Sequence, residues 1–326
     1  MKAIVCTKYG SPDVLQLKEV FMPSPKDNEA RVKVTAASIN AADLETLTGV
    51  FVNRIASPLK PMHKILGTDV AGQVREVGVN VKGFKPGDEI WADLSFPNGN
   101  GAFAEYVCIP QDALRLKPAI MTFEEAAAIP TAGVVALQHL LAKGPIQPGQ
   151  KVLINGAGGG VGTFAIQITK HFGAEVTAVD STEKLELLLS IGADHVIDYT
   201  REDFTKNGQQ YDLILDVVVR RWLFEYKRAL NPQGNTVMVG GSTSRVFLNI
   251  LLGKLMGGSK KVGLGMWKPN RKEDLELLTE LFETGKVKPV IDKVYPLSEV
   301  PAAMRYLEEG HVQGKLIITV AHNDKT

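Results

Sequence analysis

Hydrophobic and polar positions follow two different patterns along this chain of 326 residues. Up to about residue 125, short β-like runs such as 32–35 and 70–74 are broken by glycine and proline, which predicts a compact, barrel-like β domain. From there to about residue 243, apolar strand-like runs alternate with segments whose apolar residues recur at helical spacing. This alternation predicts a doubly wound parallel sheet. Its strands are expected at 151–155, 175–179, 195–198, 211–216 and 235–239.

Helix signals mark the limits of these regions. Thr122 and Glu125 have the spacing of a capping box, so we expect a helix to begin at this point. Gly285 follows a helical stretch at about 272–284 and is typical of a helix end. The remaining predicted elements are strands at 287–294 and 315–320 and a helix near 298–309. Because strict alternation stops here, we expect this last part of the chain to pack on the N-terminal β domain.

A glycine-rich turn follows the predicted strand at 151–155. It consists of Gly156, Ala157, Gly158, Gly159, Gly160, Val161 and Gly162 and leads into a helical pattern, and the next strand ends on Asp180. Strand, glycine turn, helix, strand and terminal acid are together typical of a dinucleotide-binding unit. A nucleotide pyrophosphate would bind at the helix N-terminus, because unpaired N–H groups and the helix dipole attract anions. The alternative is a tight packing turn in an ordinary α/β sheet.

Composition and charge narrow the class of protein. Hydrophobic residues make up 44% and charged residues 22% of the chain, as in soluble globular proteins. The net charge of +1 gives no reason to expect nucleic acid or a membrane surface as partner, and no apolar run approaches the ~18 residues of a spanning helix. The chain opens on the strand-like MKAIV without the layout of a signal peptide. We therefore expect a cytoplasmic protein whose partner is a small molecule.

Ordered motifs run through nearly the whole chain. They are MKAIVCTKYGSPDVLQLKEV at the start, SINAADLETLTG at 38–49, ILGTDVAGQVREVG at 65–78, KPGDEIW at 85–91, GAFAEYV at 101–107, FEEAAAIPTAGVVAL at 123–137, IGADHVIDY at 191–199 and PLSEVPAAMRYLEEGHVQGKLIITV near the end. With the glycine turn, they resemble the medium-chain dehydrogenases/reductases, in the zinc-independent, quinone-oxidoreductase-like branch. The resemblance implies a GroES-like catalytic β domain at 1–125 and a Rossmann domain with a doubly wound parallel sheet at 126–265. It further implies a C-terminal segment at 266–326 that returns to the catalytic domain, and an active site in the cleft between the domains.

Zinc-dependent alcohol dehydrogenases share this fold, so the residues at their metal-ligand positions bear on the chemistry of this chain. The first cysteine ligand of those enzymes would fall at Asn40 and the histidine of their GHE motif at Thr68, and neither residue is a credible zinc ligand. The lobe with four structural cysteines is missing, since the chain contains only Cys6 and Cys108. We therefore expect no metal site. Without a Lewis acid to activate an alcohol, reduction of an already electrophilic acceptor is favoured.

The resemblance also implies roles for individual residues. Asn40, Asp43 and Thr131 are the candidate catalytic residues, the first two as a hydrogen-bonding floor for substrate or nicotinamide and the third beside the nicotinamide. The alternatives are a loop-capping Asx pair and a plain helix N-cap. Lys315 either reaches the cofactor pyrophosphate or is solvated. The candidate cofactor-binding residues are Gly156, Ala157, Gly159, Gly160, Val161, Gly162, Asp180, Ser181, Lys184, Tyr199, Gly240, Gly241, Ser242 and Lys315.

The choice between NADH and NADPH depends on Asp180. An acid at this place accepts the ribose hydroxyls and repels a 2′-phosphate, whereas relatives that use NADPH have a neutral residue there, followed by serine and a basic residue. This chain keeps Ser181 and Lys184, and Tyr199 is placed along the adenine. Two unit charges about 4 Å apart cost on the order of 4 kcal/mol at an effective dielectric near 20. We therefore expect NAD(P)H as cofactor, with NADH preferred.

The favoured function is an NAD(P)H-dependent reductase that transfers hydride to a quinone or an α,β-unsaturated carbonyl. One alternative is a zinc-free alcohol or aldehyde dehydrogenase. Another is a nucleotide-binding protein with a structural or regulatory role, to which Val219 gives weight. This valine stands where relatives have glycine, and a positive φ is costly for it.

A short strand-like run at 260–266 bears on assembly. Relatives pair through their Rossmann domains, and an exposed strand edge invites pairing with another copy. We therefore expect a homodimer.

Overall fold

The structure is a computed structural model that describes residues 1–95, 101–241, 246, 248–249, 262–264 and 267–322. Its internal contacts divide the chain into two compact units. The first unit comprises Met1–Thr131, Pro269–Leu275 and Ile291–Thr326, and the second comprises residues 132–268 and 276–290. The N-terminal β region and the last strands of the chain therefore belong to the same unit.

The first unit is built around β3 (Glu29–Ile39), whose side chains alternate between buried and half-buried along most of its length, as expected of a strand with one face on the core. The strand pairs antiparallel with β4 (Asp69–Val77), β6 (Tyr106–Pro110) and β15 (Lys315–Thr319). The unit also contains β1 (Lys2–Val5), β2 (Gln16–Glu19), β5 (Glu89–Asp93), β7 (Arg115–Leu116) and β14 (Ile291–Pro296). Its main sheet has the order β14-β15-β3-β4-β5-β7, with β6 on β3, and β1 and β2 form a separate pair.

The second unit contains one parallel sheet. Its strands are β8 (Lys151–Asn155), β9 (Glu175–Asp180), β10 (His195–Asp198), β11 (Tyr211–Asp216), β12 (Leu230–Met238) and β13 (Val262–Leu264). They lie in the order β10-β9-β8-β11-β12-β13, and every pairing is parallel. Counted from β8, this is the strand order 3-2-1-4-5-6 of a doubly wound nucleotide-binding fold. The predicted α/β fold class is therefore confirmed, and the order reverses between β8 and β11.

Helices complete both units. They are α1 (Ala41–Thr48), α2 (Phe51–Ala56), α3 (Phe123–Ala128), α4 (Pro130–Leu140), α5 (Gly160–His171), α6 (Leu185–Ser190), α7 (Leu223–Arg228), α8 (Lys272–Glu283) and α9 (Val300–Glu308). The predicted capping box is present, since Thr122 Oγ1 accepts the Glu125 N–H at 3.1 Å. In the described part of the chain, no helix has the length and apolarity required to cross a membrane.

One clear difference from the predicted elements is at the strand expected over 287–294. The observed strand β14 begins only at Ile291. Pro289 stands just before it and has no N–H to donate to a neighbouring strand. The apolar pattern extends across this proline, but the hydrogen-bonded ladder does not.

Candidate active site

The glycine turn of the second unit lies between β8 and α5. Gly156 follows the strand with a φ of 80°, in the left-handed region that favours glycine, and the N–H of Ala157 donates to the Val179 carbonyl at 3.1 Å. Gly162, in the first turn of α5, approaches this turn closely, because a Cβ there would collide with the Gly156 carbonyl oxygen and the Ala157 Cα. The helix therefore starts directly above the end of the strand.

Gly159 has different surroundings. It is the N-cap of α5 with a φ of −85°, and the only described atom near a Cβ placed on it is the Gly156 carbonyl oxygen at 3.8 Å. The first N–H groups of the helix, which include those of Gly160 and Val161, have no intrahelical acceptors, and the positive end of the helix dipole lies at the same place. An open approach beside unpaired N–H groups fits the pyrophosphate of a dinucleotide.

Asp180, at the end of β9, is turned toward this loop. Its Oδ2 accepts the Gly158 N–H at 2.7 Å and its Oδ1 accepts the Ser181 N–H at 2.9 Å. Lys184 Nζ lies 3.5 Å from Oδ1, and both side chains are about nine-tenths buried. The predicted cofactor residues Asp180, Ser181 and Lys184 therefore lie together beside the glycine turn. Tyr199 donates its N–H to the Asp180 carbonyl, and the residue is 55% exposed.

Val219, the residue that departs from the family pattern, follows the end of β11. Val219 has a φ of 38°, a conformation that is costly for a β-branched residue. The Asp216 carboxylate fixes it, because Oδ1 accepts the N–H groups of Val218 and Val219 at 2.8 and 2.7 Å. The other oxygen accepts the Tyr226 hydroxyl at 2.7 Å, and the Val219 side chain is fully buried. This chain therefore keeps the positive φ of a glycine position and holds the valine there by hydrogen bonds and burial.

Two of the predicted cofactor residues, Gly240 and Gly241, pack against this loop. A Cβ on Gly240 would lie 3.2 Å from the Val217 carbonyl oxygen. Gly241 has a φ of 94°, and a Cβ there would collide with the Val218 carbonyl. Close backbone packing therefore requires at least the second of these glycines, and a cofactor contact by either remains a prediction. Ser242 lies outside the described residues.

In the first unit, the predicted residues Asn40 and Asp43 lie at the junction of β3 and α1. Asn40 is the N-cap of the helix, and its backbone N–H donates to Asp43 Oδ2 at 2.8 Å. The sequence left open a loop-capping role for Asn40 and Asp43, and this hydrogen bond is such a capping interaction. The side chains of Asn40 and Asp43 are buried, with residue exposures of 8% and 2%.

The Asn40 side chain belongs to a buried polar cluster. Its Nδ2 donates to Thr68 Oγ1 at 3.1 Å and to Asp69 Oδ2 at 2.9 Å. Its Oδ1 accepts from Lys315 Nζ at 2.6 Å. The same ammonium group lies 3.4 Å from Asp69 Oδ2 and 3.4 Å from the Ile39 carbonyl oxygen. Lys315 is 2% exposed, so it is not a solvated surface lysine. The sequence assigned this residue to the cofactor, whereas its partners here are Asn40, Asp69 and Ile39.

Asp69 is the centre of this cluster. Its Oδ1 accepts the backbone N–H and the hydroxyl of Thr131 at 3.0 and 2.6 Å, and its Oδ2 accepts the Ser38 hydroxyl at 2.8 Å. Thr131 Oγ1 also lies 3.1 Å from Asp93 Oδ2. A hydroxyl has one proton to donate, and Thr131 gives it to the closer Asp69. The predicted catalytic residues Asn40 and Thr131 are thus connected through one carboxylate.

Burial changes the ionisation of this cluster. It raises the pKa of Asp43 to about 7; the Asn40 N–H opposes this rise, and the Asp69 charge adds to it. Burial, followed by the Asp69 charge, also raises the pKa of Asp93 to about 7. A protonated Asp93 is able to donate to Thr131 Oγ1. Burial lowers the pKa of Lys315, and the charges of Asp69 and Asp43 oppose this.

Asp69 and Asp93 were absent from the residues predicted for the site. They are partners across the β4–β5 pairing, and both have a relative exposure of 0%. A signal was present, because each acid adjoins an apolar run, Val70-Ala71 in one case and Trp91-Ala92 in the other. Acidic residues are almost never fully buried unless they are paired, so acids beside such runs indicate a polar site.

The donors of this cluster do not match a zinc site. Structural and catalytic zinc ions are held by cysteine, histidine and carboxylate ligands. Here the Asn40 amide contacts Lys315 and Asp69, and the Thr68 hydroxyl accepts from the Asn40 amide. Within the described ranges, no three His, Cys, Asp or Glu side chains are grouped so as to hold a metal ion.

Comparisons with known proteins agree with this arrangement. Residues 26–119 match the family model of the alcohol dehydrogenase GroES-like domain, and residues 191–318 match that of a zinc-binding dehydrogenase. The chain is 38% identical to a 2-methylene-furan-3-one reductase of Solanum lycopersicum, over 98% of this chain and 79% of the relative. The structure of the quinone oxidoreductase of Coxiella burnetii superposes with a TM-score of 0.89 at 32% identity, over 98% of this chain and 99% of that one.

A third comparison involves a bound cofactor. The quinone oxidoreductase of Escherichia coli, solved in complex with NADPH, superposes with a TM-score of 0.84 at 27% identity, over 98% of this chain and all of that one. The strand order of the second unit, the glycine turn and the two family models therefore agree with one another. This chain belongs to the medium-chain dehydrogenase/reductase superfamily, in its quinone oxidoreductase-like branch.

Proposed function

We propose that this protein is an NAD(P)H-dependent reductase that transfers hydride to a quinone or an α,β-unsaturated carbonyl without zinc. The observation that carries the proposal is the Asn40–Thr68–Asp69–Lys315 cluster, in which an amide and a hydroxyl stand where zinc-dependent members have metal ligands and contact each other, a lysine and a carboxylate instead. With no metal to activate an alcohol, the substrate must already be electrophilic. Conjugated carbonyls and quinones meet this condition, because hydride addition moves charge onto a distal oxygen.

The reduced nicotinamide supplies the hydride, and the chain supplies binding, orientation and exclusion of water. The glycine turn and the N-terminus of α5 hold the pyrophosphate. Asn40 and Thr131 are assigned to the polar surface that meets substrate or nicotinamide. Asp43 contributes mainly through its hydrogen bond from the Asn40 N–H, which holds the start of α1 in place.

We further propose that NADH is preferred over NADPH. The Asp180 carboxylate is turned toward the glycine turn, where it accepts the Gly158 N–H, and its charge opposes a 2′-phosphate on the same side. Lys184 is the nearest compensating cation, but its ammonium lies 3.5 Å from Asp180 and is partly neutralised by it. We also propose a cytoplasmic location, with which the free thiols of Cys6 and Cys108 are compatible.

Steady-state assays with matched substrate panels test these proposals. Oxidation of NADH and NADPH should be followed with quinones and enones, and reduction of NAD⁺ and NADP⁺ with primary and secondary alcohols. We expect turnover with quinones or enones, no stoichiometric zinc by elemental analysis, and unchanged rates after chelation. Alcohol oxidation that is lost on chelation and restored by zinc would instead support an alcohol dehydrogenase. Nucleotide binding without turnover of any acceptor would support a regulatory protein.

A further inference from the structure

We infer that Lys315 is a positioning residue of the proposed reductase site. Its buried ammonium group fixes the orientation of the Asn40 carboxamide and, through Asp69, the position of the Thr131 hydroxyl. The catalytic part of this inference rests on the proposed function, in which Asn40 and Thr131 meet substrate or nicotinamide. The structural part, the orientation of Asn40, is independent of any activity.

The donors and acceptors around Lys315 match an ammonium group. An ammonium group has three N–H donors and no acceptor. Lys315 Nζ has three oxygen neighbours, which are Asn40 Oδ1, Asp69 Oδ2 and the Ile39 carbonyl oxygen. The Asn40 amide is thereby oriented, with Oδ1 toward Lys315 and Nδ2 toward Thr68 and Asp69. The reversed amide would direct its NH₂ group at an ammonium N–H, donor against donor, and its oxygen at Asp69 Oδ2, acceptor against acceptor. The lysine therefore selects one of the two amide orientations.

The charge of Lys315 is balanced within the cluster. Asp69 accepts five hydrogen bonds, from Ser38, Asn40, Lys315 and twice from Thr131, so both of its oxygens act only as acceptors, as in a carboxylate. Asp43 and Asp93 have pKa values raised to about 7, which limits the negative charge they add near neutral pH. One buried cation and one buried carboxylate thus form the charged centre, and losing either one alone leaves the other unpaired.

The fold delivers Lys315 to this place. Leu316, the next residue of β15, pairs with Ile39 of β3, and Asn40 follows Ile39 directly. Gly314, with a φ of 99°, precedes the lysine and allows the chain to turn into the strand. The cation is therefore part of the β3–β15 pairing, and this pairing and the start of α1 together build the cluster.

The first experiment separates positioning from stability. Lys315→Met removes the charge and leaves Asp69 unpaired, so it should lower both the urea midpoint and kcat, the latter by roughly ten-fold or more. Lys315→Met combined with Asp69→Asn removes both charges and should recover most of the midpoint but not kcat. Lys117→Met is the matched control: this lysine of the same unit is also buried, with a 4% exposed side chain, and pairs with Glu89 at 3.1 Å. It should lower the midpoint and leave kcat unchanged.

The outcomes distinguish a positioning role of Lys315 from a purely stabilising role and from a cofactor contact. Recovery of kcat in the double variant would overturn the positioning role, since stability alone would then explain the loss. A folded Lys315→Met protein that no longer binds NADH or NADPH, by nicotinamide fluorescence, would also overturn it and support a cofactor contact. We expect the dissociation constant to stay within about two-fold of the parent value, because the ammonium already has Asn40, Asp69 and Ile39 as partners.

A second experiment does not depend on turnover. In a crystal structure of Lys315→Met, we expect the Asn40 carboxamide to rotate, with loss of at least one of its hydrogen bonds to Thr68 and Asp69. An Asn40 side chain that keeps both hydrogen bonds would overturn the inference, whether or not the parent reduces any acceptor. If instead Asn40 rotates while the parent turns over no quinone or enone, the proposed function fails and the orienting role of Lys315 stands.

Discussion

At the scale of single residues, the proposed preference for NADH depends on Asp180. Asp180→Ser should shift the ratio of kcat/KM toward NADPH, because the charge that repels the 2′-phosphate is removed while Lys184 remains. The shift should appear mainly in KM, since the phosphate is remote from the hydride and contributes uniform binding. Added salt should change this shift only slightly, because the Lys184 side chain is about nine-tenths buried and buried charges are screened weakly.

A matched variant sharpens this measurement. Asp180→Asn removes the charge but keeps an oxygen that is able to accept the Gly158 N–H, a hydrogen bond that the parent makes at 2.7 Å. If Asn produces the same coenzyme shift as Ser, charge is responsible; if only Ser does, the geometry of the turn is responsible. A parent enzyme that already strongly prefers NADPH would contradict the assignment of Asp180.

Asp43 gives a second prediction at this scale, for stability against pH. Burial raises its folded-state pKa from 3.8 to about 7, so between these values the folded protein keeps a proton that the unfolded chain has lost. Its contribution to the free energy of unfolding is therefore greatest below about pH 4 and falls as the pH rises toward 7. Asp43→Asn lacks this titration and keeps an oxygen able to accept the Asn40 N–H.

Urea unfolding of parent and Asp43→Asn at pH 5 and pH 8 tests the sign. The free energy of unfolding of the variant should rise relative to that of the parent between these pH values, by at most about 1.4 kcal/mol per pH unit crossed below the folded-state pKa. Asp93 has a pKa raised to about 7 as well, but it is present in both proteins and drops out of the comparison to first order. A difference that is independent of pH would show that Asp43 is already ionised in the folded protein at pH 5.

At the scale of elements, we predict that the glycine turn contains one glycine needed for cofactor binding and another needed for packing. Gly159→Val should fold normally, because its φ of −85° is accessible to valine and the nearest described atom to a Cβ lies 3.8 Å away. It should nevertheless abolish binding of NADH and NADPH, since the side chain would enter the approach to the helix N-terminus. Fluorescence titration measures the binding, and circular dichroism with urea unfolding measures the fold.

Gly162→Val is the comparison variant for this element. Its side chain would collide with the Gly156 carbonyl and the Ala157 Cα, so it should lower stability severely, whatever its effect on binding. If Gly159→Val binds NADH as tightly as the parent, the pyrophosphate does not lie at this turn. The two glycines look alike in sequence, and only the three-dimensional structure separates their roles.

At the scale of the whole molecule, the sequence predicts elements better than long-range contacts. The strands of the second unit are predictable because buried parallel strands are continuous apolar runs bounded by turns, and β8, β10 and β11 lie over the predicted residues. The sequence shows that Val219 departs from the family pattern. Only the structure shows its positive φ and the Asp216 carboxylate that fixes it. The partners of Lys315 also require it, because they depend on the pairing of β15 with β3, at opposite ends of the chain.

Assembly is the remaining prediction at this scale. Strand β13 ends the order of the parallel sheet and pairs with β12 on one side, and in the described part of the chain no strand covers its other side. The predicted strand-like run at 260–266 extends beyond the described residues 262–264. An uncovered edge is a template for pairing with a second copy, and a two-fold axis at this edge would continue the sheet across both subunits.

Light scattering at micromolar concentration should therefore give about twice the chain mass of 35.4 kDa. Hydrogen exchange supplies the location, since the backbone amides of 262–264 should exchange more slowly at concentrations where the dimer forms than after dilution. The amides of β10, at the opposite edge of the same sheet, are the internal control and should not change. A monomer at micromolar concentration would contradict the dimer, whereas a dimer without protection of 262–264 would place the interface on another surface.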